Sequence, residues 1–163
     1  MILGTPVSGM KIGIYVGVAD YAADAAHADK VTALEALSAS MQRPQSCIIE
    51  KMPSYGEGWE TAKDDPTTCE NPDEILQPYQ TNRMVEDSDF VAKYDKGDPF
   101  IALLYSIPRT RNNVVTLETV GSNGTDKVWS RILINKIMED NSATTGKVKL
   151  TTNISFLELP IRN

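Results

Sequence analysis

Residues 146–160 read GKVKLTTNISFLELP, and their alternation decides the fold class. Val148, Leu150, Ile154 and Phe156 fall on one side of an extended chain, with Lys149, Thr151, Asn153 and Ser155 on the other. A period of two, apolar on one face and polar on the other, is the pattern of an antiparallel strand with one wet side; a strand covered on both faces would be apolar throughout. Upstream, NVVTLETV (113–120) and KVWSRILINKIM (127–138) flank GSNGTD (121–126), where Asn123 and Gly124 are expected to supply the positive backbone angles of a tight reversal. EDNSATTG (139–146) turns the chain into the closing strand, so the last fifty or so residues predict a three-strand antiparallel meander.

Working toward the N-terminus, EDSDFVAKYDKGDPF (86–100) predicts a short helix over about 87–96. Asp87 or Ser88 caps its start, Phe90 and Tyr94 share a face at i and i+4, Gly97 ends it and Pro99 bars continuation. FIALLYSI (100–107) is then expected as a strand, as are MKIGIYVGVA (10–19) and SCIIEKM (46–52). Residues 20–41 are alanine-rich and favour helix in their first half; TALEALSASM fits helix or strand. Residues 53–82 hold Pro53, Pro66, Pro72 and Pro78 among acids and predict a long loop or arm. The fold class expected is mainly β, an antiparallel β-sandwich or barrel with one short helix and that arm, in a single domain over 1–163.

The chain has 163 residues, with 16 Lys and Arg against 22 Asp and Glu, a formal charge of −6. That balance argues against tight phosphate-backbone binding, which needs clustered cations. Cys47 and Cys69 are too few for a disulfide framework and lack the companions of a structural zinc site; two free thiols are expected. IGIYVGVA followed by YAADAAHA imitates a secretion signal, but only Lys11 precedes the apolar run, and a soluble intracellular product is expected. No apolar run approaches the ~20 residues that span a bilayer. Asn123 and Asn153 match a glycosylation pattern that has no meaning off the secretory route.

Catalytic equipment is sparse. His27 is the one histidine, and no nucleophile elbow accompanies it; a surface or helix-end position is expected. SYGEGWET lacks the third glycine and the feeding strand of a dinucleotide site. Asp87, Asp89 and Asp95 imitate a calcium loop, yet Ala92 and Asp98 stand where it needs Gly and Glu. Asp64 and Asp65, or Glu70, Asp73 and Glu74, read as solvated charges rather than ligands. No catalytic, metal or cofactor residue is assigned, and no enzymatic activity is expected.

Aromatic residues are the more telling feature. Tyr55, Trp59 and Tyr79 sit in the arm, where disordered chain is usually poor in aromatics, and are candidate contacts with another subunit. Trp129 and Arg131 share one strand face. An exposed Trp-Arg face would be an interface hot spot; the alternative is that both faces of this strand are covered.

The order of elements resembles the major tail, or tail tube, proteins of long-tailed bacteriophages. The resemblance spans roughly 31–159 and rests on DSDFVAKYDKGDPFIALLYSI, read as helix then strand, on the hairpin, and on ATTGKVKLTTNISF; the proline-rich arm departs from the family's pattern. It implies a virion protein made in the host cytoplasm that self-assembles into hexameric rings stacked as a tube. Other tail proteins would be partners, and DNA would pass through without specific binding. Six copies would carry about −36 formal charges, which discourages phosphate from sticking. Readings from other classes are a tail-completion or capsid-decorating protein and a monomeric β-sandwich module binding carbohydrate or peptide.

Overall fold

The structure is a computed structural model that describes residues 11–45, 48–64, 77–121, 123–141 and 148–163. The strands are β1 (Lys11–Val16), β2 (Ile49–Lys51), β3 (Glu57–Asp64), β4 (Gln77–Val85), β5 (Ser88–Lys93), β6 (Val114–Val120), β7 (Lys127–Asp140), β8 (Lys149–Phe156) and β9 (Ile161–Arg162). The helices are α1 (His27–Ser38) and α2 (Pro99–Ser106), the latter running into a 3-10 turn at Ile107–Arg109. The fold is mainly β and antiparallel, as its sequence pattern predicts. Two compact units form, one from Tyr55–Glu86 and one from the chain on either side of it.

The larger unit is a seven-stranded sheet in the order β1-β6-β7-β8-β5-β2, with β9 added beside β7. The predicted meander is present: β6 pairs with β7 from Val114↔Leu133 to Val120↔Lys127, and β7 pairs with β8 from Ile132↔Phe156 to Asp140↔Lys149. At the β6–β7 reversal Gly124 carries the positive φ of 75°. Asn123 does not; instead its side-chain oxygen accepts the backbone N–H groups of Thr125 and Asp126, each at 3.1 Å. In β8, Leu150, Thr152 and Ile154 are buried while Lys149 is exposed, which is the alternation that fixed the fold class.

Residues 87–107 correct the expected order of helix and strand. Ser88–Lys93 is strand β5, with Ser88, Phe90 and Ala92 buried and Asp89, Val91 and Lys93 half-buried. The Phe90/Tyr94 spacing misled because four is a multiple of two, so i and i+4 also share a strand face. Asp98, not Asp87 or Ser88, is the cap: its Oδ1 accepts Phe100 N–H at 3.0 Å, and Pro99 occupies the first helical position. FIALLYSI is therefore helix. Phe100, Ile101, Leu104 and Ile107 form one buried stripe against Phe90, Leu117, Ile132 and Ile154 of the sheet. The other Asp98 oxygen accepts Gln45 N–H at 3.0 Å and ties the chain before β2 to the start of α2.

The opposite sheet face is half covered. Over β1, β6 and the start of β7, Leu34 of α1 and Met41 pack with Ala19 and Trp129. His27 is the first residue of this helix, at the end position expected for it. At the centre of the layer lies Glu118, fully buried, accepting the Trp129 indole N–H at 2.8 Å with the Arg43 guanidinium 2.7 Å away. Arg43 also donates to the Ser38 carbonyl and hydroxyl. It passes so close to β1 that a Cβ on Gly13 would stand 2.8 Å from Nη1, so a side chain there would have to displace the guanidinium. Burial pushes the Glu118 carboxyl up, but bonds from Ser38, Trp129 and Arg43 together outweigh it and hold the group below the ordinary value of 4.5. Cys47 and Cys69, residues 142–147 with most of the expected turn, and the centre of the expected arm lie outside the described residues.

Because Glu118 binds its proton less readily folded than unfolded, its stabilisation is complete above pH 4.5 and is lost as pH falls through its lower folded value. Urea midpoints measured between pH 7 and 3 should show this loss in the wild type and lack that component in Glu118→Gln. Glu118→Ala, which strands the guanidinium and the indole N–H, should cost about 3–5 kcal/mol at pH 7.

Candidate assembly surfaces

The smaller unit is a two-stranded sheet. β3 and β4 pair antiparallel from Glu57↔Val85 through Trp59↔Arg83, and from Thr61↔Gln80 to Asp64↔Gln77, with an irregularity at Glu60 opposite Thr81 and Asn82. Regular strands thus occupy both ends of what the sequence predicts as a loop or arm. Cross-strand partners share a face, so Glu57, Trp59, Arg83 and Gln80 lie on one side and Met84, Ala62 and Tyr79 on the other. Trp59 and Tyr79 are 50% and 52% exposed, and Met84 is exposed as well. An isolated two-stranded sheet is marginal in water, and this one carries large apolar groups uncovered on both faces.

Tyr55 is half-buried at the foot of this sheet. Its hydroxyl donates to Glu57 Oε2 at 2.7 Å, and Arg83 Nη2 reaches the same oxygen at 3.1 Å. The tyrosine bond is the main reason the Glu57 carboxyl lies below its ordinary value; desolvation opposes it and Arg83 adds to it. Asn82 donates to Glu60 Oε2 at 3.2 Å, and Thr81 to the Glu60 carbonyl, which closes the irregularity.

Trp129 and Arg131 are placed differently. Trp129 is 1% exposed, so the exposed Trp-Arg face does not exist and both faces of this part of β7 are covered. Arg131 lies 4.5 Å above the Tyr21 ring, and its Nε is 3.3 Å from Glu158, which also accepts the Tyr21 hydroxyl. The pair forms an internal clasp between the segment after β1, β7 and the chain end. A period-two pattern reports which residues share a face, not whether a helix covers it.

The feature that sequence reading missed is the far end of β7. Its pairing with β6 stops at Val114↔Leu133, so Ile134–Asp140 is bonded to β8 on one side while no described strand pairs with the other. Beside this edge the wet sheet face is a run of amides and hydroxyls. Asn135 donates to Asn153 Oδ1 and Ser155 Oγ at 2.8 and 2.7 Å, and Asn153 to Asp89 at 2.8 Å. Lys93 and Lys149 flank Glu50 at 3.7 and 3.3 Å. Among the described residues no three acidic, His or Cys side chains gather as a metal site, and no helix is long and apolar enough to cross a membrane.

No family model matches the sequence, and no curated relative does. Solved structures do. The chain is similar to a subunit of the SPP1 tail tube, with a TM-score of 0.55 at 10% identity, covering 96% of this chain and 77% of that one. It is similar also to a chain of the anti-feeding prophage baseplate, with a TM-score of 0.54 at 7% identity, covering 100% and 97%. The fold is phage tail-tube-like.

Because Trp59 and Tyr79 are half-exposed, Trp59→Ala and Tyr79→Ala should each shift the unfolding free energy of the monomer by no more than about 1 kcal/mol. Urea titration checks this, and larger losses would mean that the two rings are packed inside the subunit.

Proposed function

We propose that the chain is a structural subunit of a phage-like tail tube: copies associate side by side into rings, hexameric by the family resemblance, and the rings stack around a channel for DNA. The observation that carries this reading is the stretch Ile134–Glu139, whose side away from β8 pairs with no described strand, in a tail-tube-like fold. An unpaired strand edge recruits another strand, and a ring of identical subunits satisfies every edge without leaving an end. Tyr55, Trp59 and Tyr79 of the two-stranded unit are the proposed contacts between copies. Trp129, which is buried, and Arg131, which pairs with Glu158 of the same subunit, are given no part in it.

The charge supports passage rather than capture of DNA. Each copy is net negative, and on the wet face the cations Lys93 and Lys149 both lean on Glu50. Surfaces that grip DNA present many clustered, unpaired Lys and Arg to phosphate, more than the two exposed arginines Arg109 and Arg111 supply. No catalytic step belongs to this role; the protein would act by shape, within the virion tail and beside other tail proteins.

Light scattering over a concentration series, with negative-stain images of the same samples, tests the proposal. Rings or tubes are expected above a threshold concentration, and that threshold should rise roughly tenfold or more in Trp59→Ala. A monomer at every concentration would overturn the assembly reading and favour a binding module.

A further inference from the structure

Between α2 and β6 the chain runs Ile107-Pro108-Arg109-Thr110-Arg111-Asn112-Asn113. The 3-10 turn ends at an extended Thr110, and Asn112 adopts a left-handed φ of 55°, which asparagine tolerates better than most residues. The loop curls back beside Leu133–Asn135 of β7 and encloses an open groove of about 370 Å³. Ile107 and Ile134 are buried in its floor, while Arg109 and Arg111 stand exposed on its rim. No described acidic residue lines it, and neither arginine forms an ion pair with a described residue. In a chain of net charge −6, two exposed arginines thus stand on this rim with no described carboxylate paired to them.

Guanidinium forks bind carboxylates in pairs of parallel bonds, and two of them above an apolar floor suit an acidic peptide. The chain itself contains one. Residues 64–74, DDPTTCENPDE, hold five acids and no base. We propose that the 109–113 groove binds the acidic 64–74 segment of a second copy, so that each subunit presents both an anionic strap and its receptor. The inference rests on the self-assembly reading for its biological setting, but the binding itself does not require rings.

The test is fluorescence anisotropy of a labelled 64–74 peptide carrying Cys69→Ser, titrated with the full chain at low salt. Saturable binding is expected, weakened at least about tenfold by Arg109→Ala/Arg111→Ala and by added salt. Arg109→Lys/Arg111→Lys, which keeps charge but loses the forks, should fall between, and it serves alone if circular dichroism finds the alanine variant misfolded. No binding to the wild type, or equal binding to the variants, would overturn the proposal. Displacement of the peptide by inorganic phosphate more readily than by free glutamate would assign the groove to phosphate and also overturn it. Light scattering separates the two levels: wild type that assembles, with the double variant assembling equally well, counts against the groove. A wild type that never assembles counts against the tube reading, and the peptide titration still decides the groove.

Discussion

Strand β7 outlasts its partner, and most of the structure follows from that mismatch. Its first half has β6 on one side and β9, then the end of β8, on the other, and among the described strands its second half has β8 alone. β6 does not extend further because the chain before Val114 is turned away by the 3-10 turn and by Asn112. One local constraint thus leaves a strand edge with no described partner and builds the arginine-rimmed groove beside it. The register irregularity between Ile134 and Lys136 adds a second consequence: by inserting one residue, it lets Ile134 and Ile137 both face the core.

The sheet is made rigid from two sides by different chemistry. On one face the α2 stripe of Phe100, Ile101, Leu104 and Ile107 supplies apolar burial, with Asp98 fixing where the helix starts. On the other, α1 has no side-chain cap and only Leu34 and Ser38 buried, and the Glu118–Arg43–Trp129 network contributes what apolar area does not. A buried carboxylate with three partners specifies one arrangement of the layer and makes it sensitive to acid. The second half of that face stays wet, and its amides and hydroxyls bond to one another across β5, β8 and β7.

The sequence was legible where periodicity was unambiguous. The β8 alternation, the β6–β7 hairpin and the strand at Lys11–Val16 all follow from residues of one face. The helix and strand at 87–107 were exchanged because i and i+4 fits both periods, and because Gly97 and Pro99 punctuate a helix start as well as a stop. Which of the two readings of the Trp129 and Arg131 face holds is not legible locally, because the cover over Trp129 comes from Leu34 of α1, a long-range contact that no local pattern carries. Trp59 and Tyr79 were recognisable as exposed aromatics, whereas the open edge of β7 was invisible: it depends on where β6 ends, and the loop at 107–113 decides that through backbone angles.

In the proposed assembly this edge is where copies meet. Hydrogen exchange at the peptide level, compared between the monomer and assembled particles, tests it most directly. Amides within Ile134–Glu139 that point away from β8 should exchange fast in the monomer and become strongly protected on assembly. Assembled particles in which that segment exchanges as it does in the monomer would contradict the claim.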